Sequence, residues 1–197
     1  MSDKIRTCSK IIKFIFCKIL YRVKVINEEV LDKYESYLIC SNHSCIFDPI
    51  FVFPLRYEYD ISIVAKKELF KHKWFKFLTD RYKVFPIDRE NVDVKSMLHT
   101  INVFKTDKKA KLIIFPEGKV VKNEEDVRKV YKKGASFVAY HLNKPIIPVY
   151  ITRRPHLFSK VIVKFGEPFF INEEECKGKN RFDKISLDII NKIYDLK

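Results

Sequence analysis

A histidine and an aspartate stand five residues apart in Ser41-Asn42-His43-Ser44-Cys45-Ile46-Phe47-Asp48-Pro49, directly after an apolar run. An imidazole that titrates near neutrality can take a proton from a hydroxyl, and a carboxylate can fix its tautomer and stabilise the imidazolium. On a regular helix, side chains five residues apart diverge by about 140°. The pair therefore meets only across a turn. Asp48-Pro49 supplies the end of such a turn, with Asp as N-cap and Pro at the first helical position. His43 then sits in a strand-to-helix turn, facing Asp48. Taken by itself the block fits a loop histidine and a plain helix cap better, because short patterns recur by chance. Cys45 adds a further chemistry, a thiol nucleophile paired with His43, though a Cys after a strand is more often a buried hydrophobe.

Further blocks follow in order. Lys66-Lys67-Glu68-Leu69-Phe70 leads to Val84-Phe85-Pro86-Ile87-Asp88-Arg89-Glu90-Asn91. Phe115-Pro116-Glu117-Gly118 again ends a β-branched run, and Pro145-Ile146-Ile147-Pro148-Val149 precedes Val163-Lys164-Phe165-Gly166-Glu167-Pro168. Each has a plain reading: Arg89 paired with Asp88 or Glu90, Lys66 as a solvated lysine, Glu117 as a helix cap.

These residues need a scaffold, and the pattern around them supplies one. Short β-branched and aromatic runs predict strands at Tyr37–Ser41, Ile61–Ala65, Val84–Ile87, Lys111–Phe115, Ile146–Ile151 and Val161–Phe165. Helical patterns lie between and after them, at Val92–Thr106, Lys132–Leu142 and Phe182–Leu196. In the first, Val94, Met97, Leu98, Ile101 and Phe104 make the apolar stripe, with Asn91 or Asp93 as N-cap. The alternation predicts a single-domain α/β sandwich with a central, largely parallel sheet flanked by helices. In such sheets, sites gather at the carboxyl ends of the strands, where these blocks fall.

The chain of 197 residues carries 39 Lys+Arg against 25 Asp+Glu, a net charge of +14. A surface so basic attracts anions: lipid headgroups, phosphorylated metabolites or nucleic acid. The nucleic-acid reading lacks a binding fold or stacking motif. Five scattered cysteines without a C-x-x-C spacing argue for reduced thiols, and against a disulfide scaffold or a zinc site. No cleavable signal is evident, and no run is apolar enough to span a bilayer. Lys10–Val25 instead reads as an amphipathic helix, its face formed by Ile12, Ile15, Phe16, Ile19, Leu20 and Val23. Lys10, Lys13 and Lys24 flank this face on one side, Lys18 and Arg22 on the other. That helix either lies in a membrane interface or packs on its own core. The expected organisation is thus an interfacial helix over residues 1–26 and one domain over 27–197.

In order and approximate spacing the blocks resemble the glycerol-phosphate and lysophosphatidate acyltransferase superfamily, from about Ile19 to Phe169. Four blocks in register are far more specific than one. The resemblance implies transfer of a fatty acyl group from an acyl thioester of coenzyme A or acyl carrier protein to a lysophospholipid hydroxyl, at the cytoplasmic face of an anionic membrane, without metal or cofactor. It implies His43 as general base and Asp48 as its orienter. Arg89 and Lys66 become phosphate ligands, Glu117 positions the acceptor, and Gly118 lets backbone approach the ligand. The chain departs from the pattern after Gly118. Lys119-Val120-Val121 stands where Thr-Arg-Ser is usual, leaving Lys119 or Lys122 to replace a phosphate-binding arginine. Lys76 and Lys83 occupy two positions that are usually glycine. Another lysolipid or glycerol 3-phosphate as acceptor, and a non-catalytic lipid-binding role, are the alternatives.

Overall fold

A strand with apolar residues on both of its faces needs cover on both sides of its sheet. Tyr37–Ser41 (β2) is such a strand, buried along its whole length. The computed structural model describes residues 14–52, 61–71, 83–87, 94–121, 131–152, 155–172, 174 and 177–197. Its other strands are β1 (Lys24–Ile26), β3 (Ile61–Lys66), β4 (Lys83–Ile87), β5 (Lys111–Ile114), β6 (Ile146–Ile151) and β7 (Ile162–Phe165). The α-helices are α1 (Asp48–Val52), α2 (Val94–Thr106), α3 (Lys133–Leu142) and α4 (Arg181–Tyr194). One seven-stranded sheet runs in the order β1-β7-β6-β2-β5-β3-β4, with β2 at its centre. Every pairing is parallel except β6 with β7.

Alternation along the strands sorts the core into two layers. Ile39, Ile113, Ile147, Ile151 and Val163 face one way, with Tyr21, Leu31, Phe51 and Val52 over them. Leu38, Cys40, Leu112, Ile114 and Ile146 face the other way, under Ile101 and Phe104 of α2, Val138 and Leu142 of α3, and Ile185, Ile189 and Ile193 of α4. The six expected strands and the helices expected at Val92–Thr106, Lys132–Leu142 and Phe182–Leu196 are present, within one or two residues of their expected ends. The N-cap expected at Asn91 or Asp93 lies outside the described residues. Leu98, expected in the α2 stripe, turns outward to solvent.

The N-terminal region differs from expectation. Helical backbone occupies Ile15–Leu20, with π-type hydrogen bonding, and ends there. Arg22 takes a left-handed φ of 36°, which no helix continues through. Lys24–Ile26 then pairs with β7 as an edge strand. Periodicity did not separate that strand from the helix because Val23, Val25 and Ile26 satisfy both patterns. The apolar face also divides: Phe16, Leu20 and Val23 pack on the core, whereas Ile15 and Ile19 are exposed. Lys10, Ile12 and Lys13 lie outside the described residues.

Candidate active site

The central strand ends at Ser41, and the next residue fixes how the chain leaves it. The Asn42 amide donates to the Ile151 carbonyl at 2.9 Å and accepts from the Ile151 N–H at 2.7 Å. A side chain thus adds one more rung between β2 and β6, which frees the backbone to turn. The turn brings His43 back toward Asp48 at the start of α1. Their separation is 2.9 Å, from His43 Nδ1 to Asp48 Oδ2.

Asp48 has no exposed side-chain surface, while His43 keeps 14%. The buried carboxylate accepts from the backbone N–H groups of Ser44 and Cys45, the latter at 2.8 Å. The Ser44 hydroxyl and the Cys45 thiol donate to its second oxygen, each at 3.2 Å. A carboxylate oxygen so placed accepts a hydrogen bond from the imidazole, which assigns the ring hydrogen to His43 Nδ1. The lone pair of the neutral ring is then on Nε2. Phe115 stacks on the ring at 4.4 Å between centroids, fixing its plane. Burial, and then the neighbouring Asp48 carboxylate, push the Cys45 thiol up to about 12. A thiol held protonated, donating to Asp48, is a poor nucleophile.

The loop after β5 lies beside this turn because β5 pairs with β2 in parallel. Its backbone turns tightly, Gly118 N–H to the Phe115 carbonyl at 3.0 Å. Gly118 has φ +68°, and a Cβ there would stand 2.5 Å from Lys132 Cγ. Lys132 N–H binds the Pro116 carbonyl, and Val121 N–H binds the His43 carbonyl, both at 2.9 Å. Glu117 is buried, and the Tyr194 hydroxyl at the end of α4 donates to its Oε1 at 2.7 Å. Ile190 and Tyr194 pack against Val121.

The remaining expected residues follow from the sheet order. Lys66 ends β3, the strand next to β5, so its backbone reaches the same edge as His43 and Glu117. Lys119 is exposed in the loop after β5. Arg89, two residues past the end of β4, and Lys122 lie outside the described residues. The structure adds two residues that sequence reasoning gave no role. Asn42 had a signal, its place beside His43. Tyr194 had none, being 77 residues from its partner. Among the described residues no cluster of three or more His, Cys, Asp or Glu could hold a metal ion.

Known proteins resemble this chain in sequence and in fold. The 1-acyl-sn-glycerol-3-phosphate acyltransferase of Bacillus subtilis is 34% identical over 127 residues, which cover 64% of this chain and 60% of that protein. The enzyme of the same name from Streptococcus pneumoniae is 29% identical over 151 residues, 74% of this chain and 54% of its own. The chain thus spans about half to three fifths of the length of the curated relatives it matches. The crystal structure of the 1-acyl-sn-glycerophosphate acyltransferase PlsC from Thermotoga maritima superposes with a TM-score of 0.67. It covers 100% of this chain and 82% of its own at 20% identity, a likeness of fold. The sequence model of the family described as Acyltransferase matches residues 22–152, which include the His43–Asp48 turn and the Glu117 loop, and the chain belongs to that family.

Proposed function

We propose that this protein transfers a fatty acyl group from an acyl thioester, of coenzyme A or acyl carrier protein, to the hydroxyl of a lysophospholipid. The acceptor that best fits is 1-acylglycerol 3-phosphate, giving phosphatidate. The observation that carries the reading is the His43 Nδ1 to Asp48 contact of 2.9 Å at the end of the central strand. His43 Nε2 takes the proton from the acceptor hydroxyl, and Asp48 holds the ring and stabilises the imidazolium. The oxygen attacks the thioester carbonyl, the C–S bond breaks, and the imidazolium returns its proton to the leaving thiolate. The chemistry needs no metal.

Strand spacing supports a placement for the acceptor. Neighbouring strands lie about 4.8 Å apart, so the end of β3 is roughly 10 Å from that of β2. In this reading Lys66 and Arg89 bind the phosphate of the acceptor. Lys119 adds a cation from the neighbouring loop, in place of the family arginine. Glu117 acts on the acceptor through the shape of its loop, since its carboxylate is engaged by Tyr194. Gly118 keeps side-chain bulk off the same surface.

The product is an amphiphile, and a basic chain with no described helix long and apolar enough to cross a membrane suits peripheral attachment. We place it on the cytoplasmic, anionic face of a membrane, with residues 1–26 as the interfacial element and 27–197 as the acyltransferase domain. The test is mass-spectrometric detection of acylated products from a lysolipid panel that includes glycerol 3-phosphate, with both donors. Phosphatidate formed by the wild type and not by His43→Ala supports the reading. Vesicle binding without any product would assign the chain a non-catalytic lipid-binding role.

A further inference from the structure

The antiparallel connection between β6 and β7 has no part in the chemistry above, yet it lies at the same edge of the sheet. Ile151 at the end of β6 pairs with Val163 at the start of β7, so the connection sits where His43 and Glu117 emerge. Its tip carries Leu157 and Phe158, 58% and 62% exposed. Their exposure does not reflect a loose turn. Phe158 N–H donates to the Leu20 carbonyl at 2.6 Å, Ser159 N–H to the His156 carbonyl at 3.0 Å, and His156 N–H to Ser159 Oγ at 3.1 Å. The tip is tied to the end of the helical segment, and Phe158 is held at φ 64°. Asn or Gly adopts that conformation readily; an aromatic residue rarely does. The fold therefore keeps an apolar ring outward in backbone geometry that suits a small polar residue better.

The surroundings of the tip extend the same chemistry. Phe14, Ile15 and Ile19 are exposed on the adjoining helical segment, and Ile46 and Phe47 on the His43–Asp48 turn. Phe16 links the two by ring contact with Phe47 at 5.2 Å. Lys18, Arg22, Lys24 and Lys160 are exposed around them. Residues 14–25 and 155–165 contain no Asp or Glu. Protruding apolar side chains flanked by these cations suit an occupant that is apolar inside and anionic outside.

We propose that the Leu157-Phe158 tip inserts into the surface of an anionic bilayer, as a second anchor beside the Ile15–Leu20 segment. Two anchors on one edge of the sheet fix its orientation, with the His43–Asp48 turn facing the interface. The proposal rests on the acyl-lipid reading for lipid as the occupant, and its test separates the two. Leu157→Ser/Phe158→Asn removes the apolar tip while placing a residue suited to left-handed φ at position 158. The full chain is floated with vesicles of phosphatidylcholine and phosphatidylglycerol, and with phosphatidylcholine alone. Wild type should bind the anionic vesicles, more weakly as salt rises. The double variant should bind at least about tenfold less, as expected from losing two inserted apolar side chains. It should melt no lower than wild type, and should acylate a short-chain, water-soluble lysophosphatidate at the wild-type rate. A variant that folds and floats like wild type overturns the proposal. So does self-association of wild type that the variant abolishes without any vesicle binding, which would make this surface a contact between two copies. Absence of transfer by wild type on the soluble substrate would sink the acyltransferase reading, leaving the vesicle result to stand by itself.

Discussion

The two loops that leave neighbouring central strands are built in opposite ways. In the turn after β2 the donors to Asp48 are local, coming from His43, Ser44 and Cys45, although Asn42 on Ile151 fixes where the turn begins. The loop after β5 is held from a distance, by Lys132 on Pro116, by Tyr194 on Glu117 and by its own Val121 on His43. A local constellation is specified by spacing and forms wherever a strand delivers it. A distant one depends on α4 docking correctly. The proposed chemistry draws on both: His43 offers its ring from the first loop, and its backbone is pinned by the second.

Removing the base itself should have the largest effect. His43→Ala should lower acyl transfer by about 10³-fold or more, with the melting temperature little changed, because the buried Asp48 carboxylate keeps its donors from Ser44 and Cys45 when the ring is lost. Steady-state kinetics beside a thermal melt check both halves, and near-normal turnover by the folded variant would sink the mechanism. Asp48→Asn should come next, at about 10²–10⁴-fold in kcat, since the amide cannot hold the same tautomer and charge. It should also lower stability by about 1–3 kcal/mol, because a buried acceptor of several donors is lost. An Asp48→Asn enzyme as stable as wild type would show that the turn does not depend on its own carboxylate.

Smaller effects probe the second loop. Gly118→Ala meets both a left-handed φ and the Lys132 side chain, and should cost about 1–3 kcal/mol of stability. Its kcat should fall through displacement of Glu117 and Val121. Tyr194→Phe keeps the ring against Val121 and removes one hydrogen bond, worth about 1 kcal/mol. We expect a roughly three- to tenfold loss, seen mainly in KM for the acceptor. An unchanged KM would show that α4 supports the loop by packing alone. Cys45→Ser should change least and keep most of the activity. A thiol raised to about 12 stays protonated at pH 9, where an ordinary thiol is largely ionised. Iodoacetamide should therefore label Cys45 far more slowly than a free thiol at that pH, and an acyl thioester trapped on Cys45 would overturn direct transfer.

The same contrast divides what could be read in advance. Fold class and strands followed from β-branched runs, because a buried parallel sheet demands apolar residues on both faces of its strands. The His43–Asp48 turn was one reading of a six-residue block with its own cap, and only the further blocks in register favoured it over a loop histidine and a plain helix cap. β1 was hidden, since three residues of edge strand carry too little pattern to stand apart from a preceding helix. The split of the N-terminal apolar face was hidden too, because packing against Phe47 and Phe51 decides which residues are covered. Asn42 as a rung on β6 and Tyr194 as the partner of Glu117 join positions 109 and 77 residues apart. Spacing along the chain carries no record of such pairs. They exist only once the sheet order and the docking of α4 have brought their elements together.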